Sequence, residues 1–207
     1  VCTLLLKTIR AFGVCTPRHA AFWFGVRVRD IKPYLERLVE DDQLAVVRVA
    51  NQRPVFYATP EDLQRVTRTN QPESGGTELV HLLTPLDNLV RDRRWLKRLF
   101  DYSFKIEYFQ VKGMRWHTSI LVGDSFIGFL DPKVDRRRGE FLVKEVVLRD
   151  EVDASVAEAV VSRVKQLAAA HRCQRVRFEE TPSSWRAVFE DLSANKDGSS
   201  FVLELKH

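Results

Sequence analysis

Between residues 104 and 148 the chain offers four strand-like segments in succession, at 104–108, 116–122, 126–131 and 140–148, joined by short turns. In the first, Phe104, Ile106 and Tyr108 alternate with Lys105 and Glu107, the period of a strand with one face buried. Strands linked by a few residues run antiparallel, because a parallel return needs a much longer crossover. This stretch therefore demands an antiparallel meander, a strongly twisted sheet or partial barrel, and the segments around it must cover that sheet.

Those segments have the right periods. Asp153 stands as the cap of a long helix reaching His171, in which Val156, Val160, Val164 and Leu167 recur at helical spacing. Arg175, Val176, Arg177 and Phe178 alternate as a strand. Residues 182–192 read as a helix with Trp185, Val188, Phe189 and Leu192 inward, and Phe201, Leu203 and Leu205 as a closing edge strand. Upstream, Asp87 caps one helix over 88–100. Its apolar stripe is Leu89, Leu96, Leu99 and Phe100, which leaves Arg91, Arg93, Arg94, Lys97 and Arg98 on the other faces.

The first 68 residues have a different pattern. A helix over 4–12 stops at Gly13; Thr16 and Pro17 open a second that ends at Gly25; a third runs over 28–38 with Ile31, Tyr34, Leu35 and Leu38 on one side. Strand-like pieces at 44–49 and 55–58 flank Asn51, Gln52, Arg53 and Pro54, a hairpin signal. Three helices followed by a two-stranded hairpin is the order of a winged helix. A short helix opens at Pro60. The segment 69–78 is the one linker-like stretch, so the expected organisation is a winged-helix domain over 1–68 and an α+β domain over 79–207.

Composition excludes several classes. At 44% hydrophobic residues the chain has enough apolar material for a core. A formal charge of +5 leans toward a polyanionic partner. Cys2, Cys15 and Cys173 contain no C-x-x-C pair, which suits a reducing, cytoplasmic compartment and not a structural zinc site. No apolar run is long enough for a membrane span. His19, His81, His117, His171 and His207 lack metal-ligand spacing, and no P-loop or G-x-S-x-G motif occurs. The strand–helix–strand at 140–178 has no glycine-rich pyrophosphate loop, which removes an acetyltransferase. No metal or cofactor is expected.

Basic residues gather where nucleic acid would meet them. In the first domain these are Arg27, Arg29, Lys32 and Arg53, with Arg37 and Arg48; on the 88–100 helix, Arg93 and Arg94. At one turn Lys112, Arg115 and Trp116 surround Gly113 and Met114, an arrangement able to wedge between base steps. At another, Lys133, Arg136, Arg137 and Arg138 crowd together, a cost that phosphate or solvent must offset. Duplex DNA is the expected partner, with the nucleoid as the location. The acids are less promising for catalysis: Asp87 is explained as a helix cap, and Asp131 and Asp135 by ion pairing with the cations of the 133–138 turn.

Leu-Leu-Thr-Pro-Leu-Asp-Asn-Leu at 82–89, the basic helix, Leu-Phe-Asp-Tyr-Ser-Phe-Lys-Ile-Glu-Tyr at 99–108 and Asp-x-Lys-x-Asp-Arg at 131–136 resemble the C-terminal portion of the AlkZ/YcaQ DNA glycosylases. The resemblance is strongest over 82–148 and weaker over 1–66. It implies tandem winged-helix units with a β-rich C-terminal domain, and removal of alkylated or crosslinked bases from duplex DNA. It also implies a catalytic Gln-x-Gln or Gln-x-Asp motif ahead of the matched region. Neither tripeptide occurs in this sequence. The chain opens on Val1 without a Met, so an expected reading is a fragment, or a short member, that works with an N-terminal segment of the same family. The alternative is a non-catalytic winged-helix transcriptional regulator or interaction module.

Overall fold

A computed structural model of the chain describes residues 1–50, 52–68, 80–103, 117–192 and 194–205. The chain divides into two units, Val1–Ser74 and Gly75–His207. The expected strand at 104–108, the linker at 69–78 and the turn bearing Lys112, Arg115 and Trp116 lie wholly or almost wholly outside the described residues. Among those described, no helix is long and apolar enough to cross a membrane.

In the first unit, α1 (Cys2–Phe12), α2 (Pro17–Phe24) and α3 (Val28–Glu40) form where the caps and periods predict them. The Thr16 hydroxyl accepts from the His19 backbone N–H at 3.1 Å, and Pro17 occupies the first helical position, where its missing N–H costs nothing. Gly25 ends α2 in the left-handed region at φ 66°, a backbone that a side chain would strain. Leu5 and Ile9 of α1, Ala20 and Ala21 of α2, and Ile31, Leu35 and Leu38 of α3 close over one core. The hairpin is shorter than its apolar runs, β2 (Ala45–Val47) against β3 (Phe56–Ala58). The two-stranded expectation is corrected: Val14–Cys15, a two-residue strand β1 between α1 and α2, pairs with β3 and makes a three-stranded antiparallel sheet. Helix α4 (Pro60–Arg68) follows.

Among the described residues, the second unit is built on a seven-stranded sheet. Its strands are β4 (Val80–Leu83), β5 (Thr118–Val122), β6 (Ser125–Asp135), β7 (Glu140–Leu148), β8 (Arg175–Glu180), β9 (Asn195–Asp197) and β10 (Ser200–Glu204). Their order is β4-β5-β6-β7-β8-β10-β9. Of the expected meander, β5, β6 and β7 pair antiparallel in chain order; β4, a strand the sequence reading did not foresee, pairs antiparallel with β5, and β8 lies parallel to β7. The physical reason is the connection: α7 (Ala154–Ala170) is long enough to carry the chain back to the starting end of the sheet. The sheet is thus mixed, and the fold class is α+β. The edge-strand expectation for 201–205 is also corrected, since β10 pairs on both sides and β9 takes the edge.

Alternation along β7, β8 and β10 sends Phe141, Val143, Val176, Phe178 and Leu203 into the core with Val160, Val161 and Val164 of α7. Trp185, in the 3-10 turn Ser183–Trp185, and Val188 and Phe189 of α8 (Arg186–Asp191) complete it. The residues between them face the other way, so that side of the sheet carries charge. A second core, with Val90, Leu96, Tyr102, Leu121 and Phe126, seats the basic helical segment.

That segment is two helices, not one. α5 (Asn88–Arg91) and α6 (Arg93–Phe100) are separated by Asp92, whose backbone is extended at φ −86°, ψ 93° and whose carboxylate accepts from the Arg94 and Trp95 N–H groups at 3.1 and 3.2 Å. A cap inside the basic run restarts the helix and resets its face. Trp95 and Leu96 are buried, and Leu99, expected in the apolar stripe, is 37% exposed.

Candidate nucleic-acid interface

In the first unit, Arg27, Arg29, Lys32 and Arg37 lie at the start of α3 or along it, each beside an acid. Arg27 caps the helix and its Nε donates to Asp30 at 3.0 Å, while Arg29 lies 3.8 Å from the same carboxylate. The Arg27 hydrogen bond holds the Asp30 carboxyl below the usual carboxylate range. Lys32 pairs with Glu36 at 3.6 Å and Arg37 with Asp41 at 3.8 Å, both one helical turn apart. Arg48 and Arg53 are exposed beside the hairpin.

In the second unit α6 exposes Arg93, Arg94, Lys97 and Arg98, and α5 exposes Arg91. Lys97 reaches Asp101 at 2.5 Å, and its hydrogen bond and charge lower the carboxyl below its ordinary range. The β6–β7 hairpin presents Arg136, Arg137 and Arg138, all exposed. Its geometry comes from Asp135, whose Oδ1 accepts from the Arg137 and Arg138 backbone N–H groups at 3.0 and 3.1 Å. This Asx-type turn needs a short acceptor just before the corner, and Gly139 closes it in left-handed backbone at φ 61°. Arg138 Nε stands 3.9 Å from Asp135 Oδ2.

Lys133 points from β6 onto the charged face of the sheet. There it lines a cleft of about 300 Å³ with Asp135, Arg138, Glu140, Arg177 and Asp197. Strand register assembles this group: Glu140 on β7 lies between Asp135 of β6 and Arg175 of β8. Glu140 is 3% exposed and accepts from Arg175 Nε at 2.9 Å and Arg177 Nε at 3.2 Å. Arg177 Nη1 donates to Asp197 at 2.6 Å. Arg175 and Arg177 are therefore matched internally.

The three acids singled out for catalysis part company. Asp87 is a cap, accepting from the Leu89 N–H at 2.9 Å. Asp135 is committed to its turn. Asp131 differs from expectation: it is 3% exposed and pairs at 3.6 Å with Lys144 of β7, a cation outside the turn. A register shift between Leu130 and Pro132 makes this possible, since such a bulge re-aims one side chain.

Residues without a signal of their own in sequence include Asp92, Glu140, Arg175 and Arg177. The polarity of Glu140, Arg175 and Arg177 within alternating strands marks the open face. Only the register brings Glu140 to arginines 35 and 37 positions later.

A family model described as DNA glycosylase AlkZ-like matches residues 2–175. No curated protein and no solved structure matches the chain.

Proposed function

The chain belongs to the AlkZ-like DNA glycosylase family, and from that premise we propose that it binds duplex DNA carrying alkylated or crosslinked bases, holding phosphates on α5–α6 and on the β6–β7 hairpin. Its first unit we read as a winged helix: the order helix, short strand, two helices, hairpin fits one, with α3 as the would-be recognition helix. The matched region corresponds on this reading to the C-terminal portion of the family, and the protein acts on the nucleoid in the cytoplasm. The observation that carries the proposal is the arginine-bearing hairpin. Arg136 and Arg137 have no ion pair among the described residues, while Asp135 and Gly139 hold the backbone beneath them. Exposed arginines on a backbone held in this way suit phosphate recognition.

The test is duplex affinity against salt. Neutralising about five phosphates gives a slope of log K against log salt of roughly −4 to −5. A slope near zero overturns the reading.

Base excision by this chain alone is expected to be slow. The sequence has no Gln-x-Gln or Gln-x-Asp to orient water and balance the developing oxocarbenium charge, and losing one well-placed electrostatic group costs about a hundred- to a thousandfold. Single-turnover release of 7-methylguanine, with and without a supplied N-terminal family segment, measures this. Rapid release by the chain alone overturns it. A second reading, a non-catalytic regulator or interaction module, draws on the exposed apolar run Phe22, Phe24, Val26 and Val28 around the α2–α3 turn. It predicts no duplex binding by the hairpin arginines.

A further inference from the structure

A cleft of about 460 Å³ opens in the second unit between the end of α6 and strands β6 and β7. Phe129, half-buried, forms part of its floor, and the His117 imidazole stacks on that ring at 4.1 Å and 19°. Val147 and Leu148 extend the apolar surface. Tyr102 makes a wall; its hydroxyl donates to the Gly128 carbonyl at 3.0 Å, its ring stacks on Phe126 at 4.6 Å, and burial raises its phenol above the ordinary value. The position is tight, because a Cβ on Gly128 would meet the Val147 carbonyl oxygen at 2.1 Å.

The mouth is polar. Lys97 and Asp101 form their pair there, and Arg149 holds its guanidinium 5.9 Å from the Tyr102 ring centre. Two cations to one carboxylate leave the mouth positive. Asp101 ends α6 in left-handed backbone at φ 47°, a conformation that Asp tolerates better than most residues, and so brings its carboxylate to the mouth. A mostly apolar cleft of this size with a few convergent polar groups is the usual form of a small-ligand site. An aromatic floor takes a planar ring by stacking, and a guanidinium takes two phosphate oxygens at once.

Building on the nucleic-acid reading above, we propose that this cleft holds a single nucleotide unit, its base against the Phe129 ring that the buried His117 backs and its phosphate on Arg149. The space admits one nucleotide and no duplex, so the occupant is either a residue drawn out of the stack or the end of a single strand.

Calorimetric titration of the full chain with deoxyguanosine monophosphate, deoxyguanosine and inorganic phosphate tests this. Expected is saturable binding of the monophosphate, at least about tenfold tighter than either part alone. Arg149→Ala should reduce the monophosphate to the level of the nucleoside and leave the nucleoside unchanged. Phe129→Leu should weaken both by about tenfold, in line with loss of one stacked base. Melting curves check that each variant is folded, and Arg149, being exposed, keeps the test decisive if Phe129→Leu is not. No saturable binding, equal affinity for phosphate alone, or an unaffected Arg149→Ala overturns the proposal. A 2-aminopurine probe separates the sources: fluorescence rising in a mismatched duplex indicates extrusion, and rising only at a 3′ overhang indicates strand-end binding. Loss of nucleotide binding with a steep salt slope retained sinks the cleft and spares the duplex reading; loss of both sinks both.

Discussion

Helix α3 with its cap and the 133–138 turn of the β6–β7 hairpin each carry four cations and use them differently. On α3 the four cations Arg27, Arg29, Lys32 and Arg37 share three carboxylates one to four positions away. A helix places such residues on one face, so pairing follows from spacing. In the hairpin the nearby carboxylate, Asp135, spends one oxygen on two backbone N–H groups and leaves Arg136 and Arg137 outside its reach. Cation density in a sequence thus says less about phosphate binding than what the neighbouring acids are doing.

The largest effect expected in testing this contrast comes from a third set of cations, the fully matched one. Glu140→Ala removes the buried partner of Arg175 and Arg177 and should lower unfolding free energy by about 2–3 kcal/mol, short of a wholly buried pair because both arginines touch solvent. Urea unfolding reads it. A loss under about 1 kcal/mol would make this a surface pair in energetic terms.

Next is the hairpin itself. Arg136→Ala with Arg137→Ala should flatten the salt slope by about two units and leave the melting temperature unchanged. An unchanged slope would assign both to solvent, and a lowered melting temperature to structure.

A smaller change is expected from α3. Arg29→Ala with Lys32→Ala removes the same formal charge, yet each already faces an acid, so the slope should move by less than about one unit. A shift equal to that of the hairpin pair would erase the distinction drawn here.

The smallest effect is a pH dependence. Asp30 has its carboxyl lowered by Arg27, so its stabilising contribution is present above the unfolded carboxyl value of about 3.9 and is lost as pH falls through the lower folded value. The melting difference between the parent and Asp30→Asn should be visible at neutral pH and vanish toward strongly acid pH. A difference persisting there would trace to something other than the charge of Asp30.

Much of this could be read along the chain. Helices α1 to α4 and α7 follow from short-range rules, since Thr16, Pro17, Gly13 and Gly25 act on their immediate neighbours and hydrophobic period needs only a few turns to register. The family resemblance, too, lay in local motifs, and the match over 2–175 spans far more of the chain than the 82–148 stretch that carried it most strongly. The break at Asp92 was local as well, but an acid within a run of arginines looks like a charge partner until its carboxylate is seen on the Trp95 N–H. What only the tertiary structure decided was which distant residues meet. The parallel joint of β7 with β8 depends on where α7 returns the chain, the burial of Asp131 on a bulge, and the Glu140 cluster on strand register. Each is a pairing across sequence distance, and a pattern of period two says which face a residue takes but not which strand lies beside it.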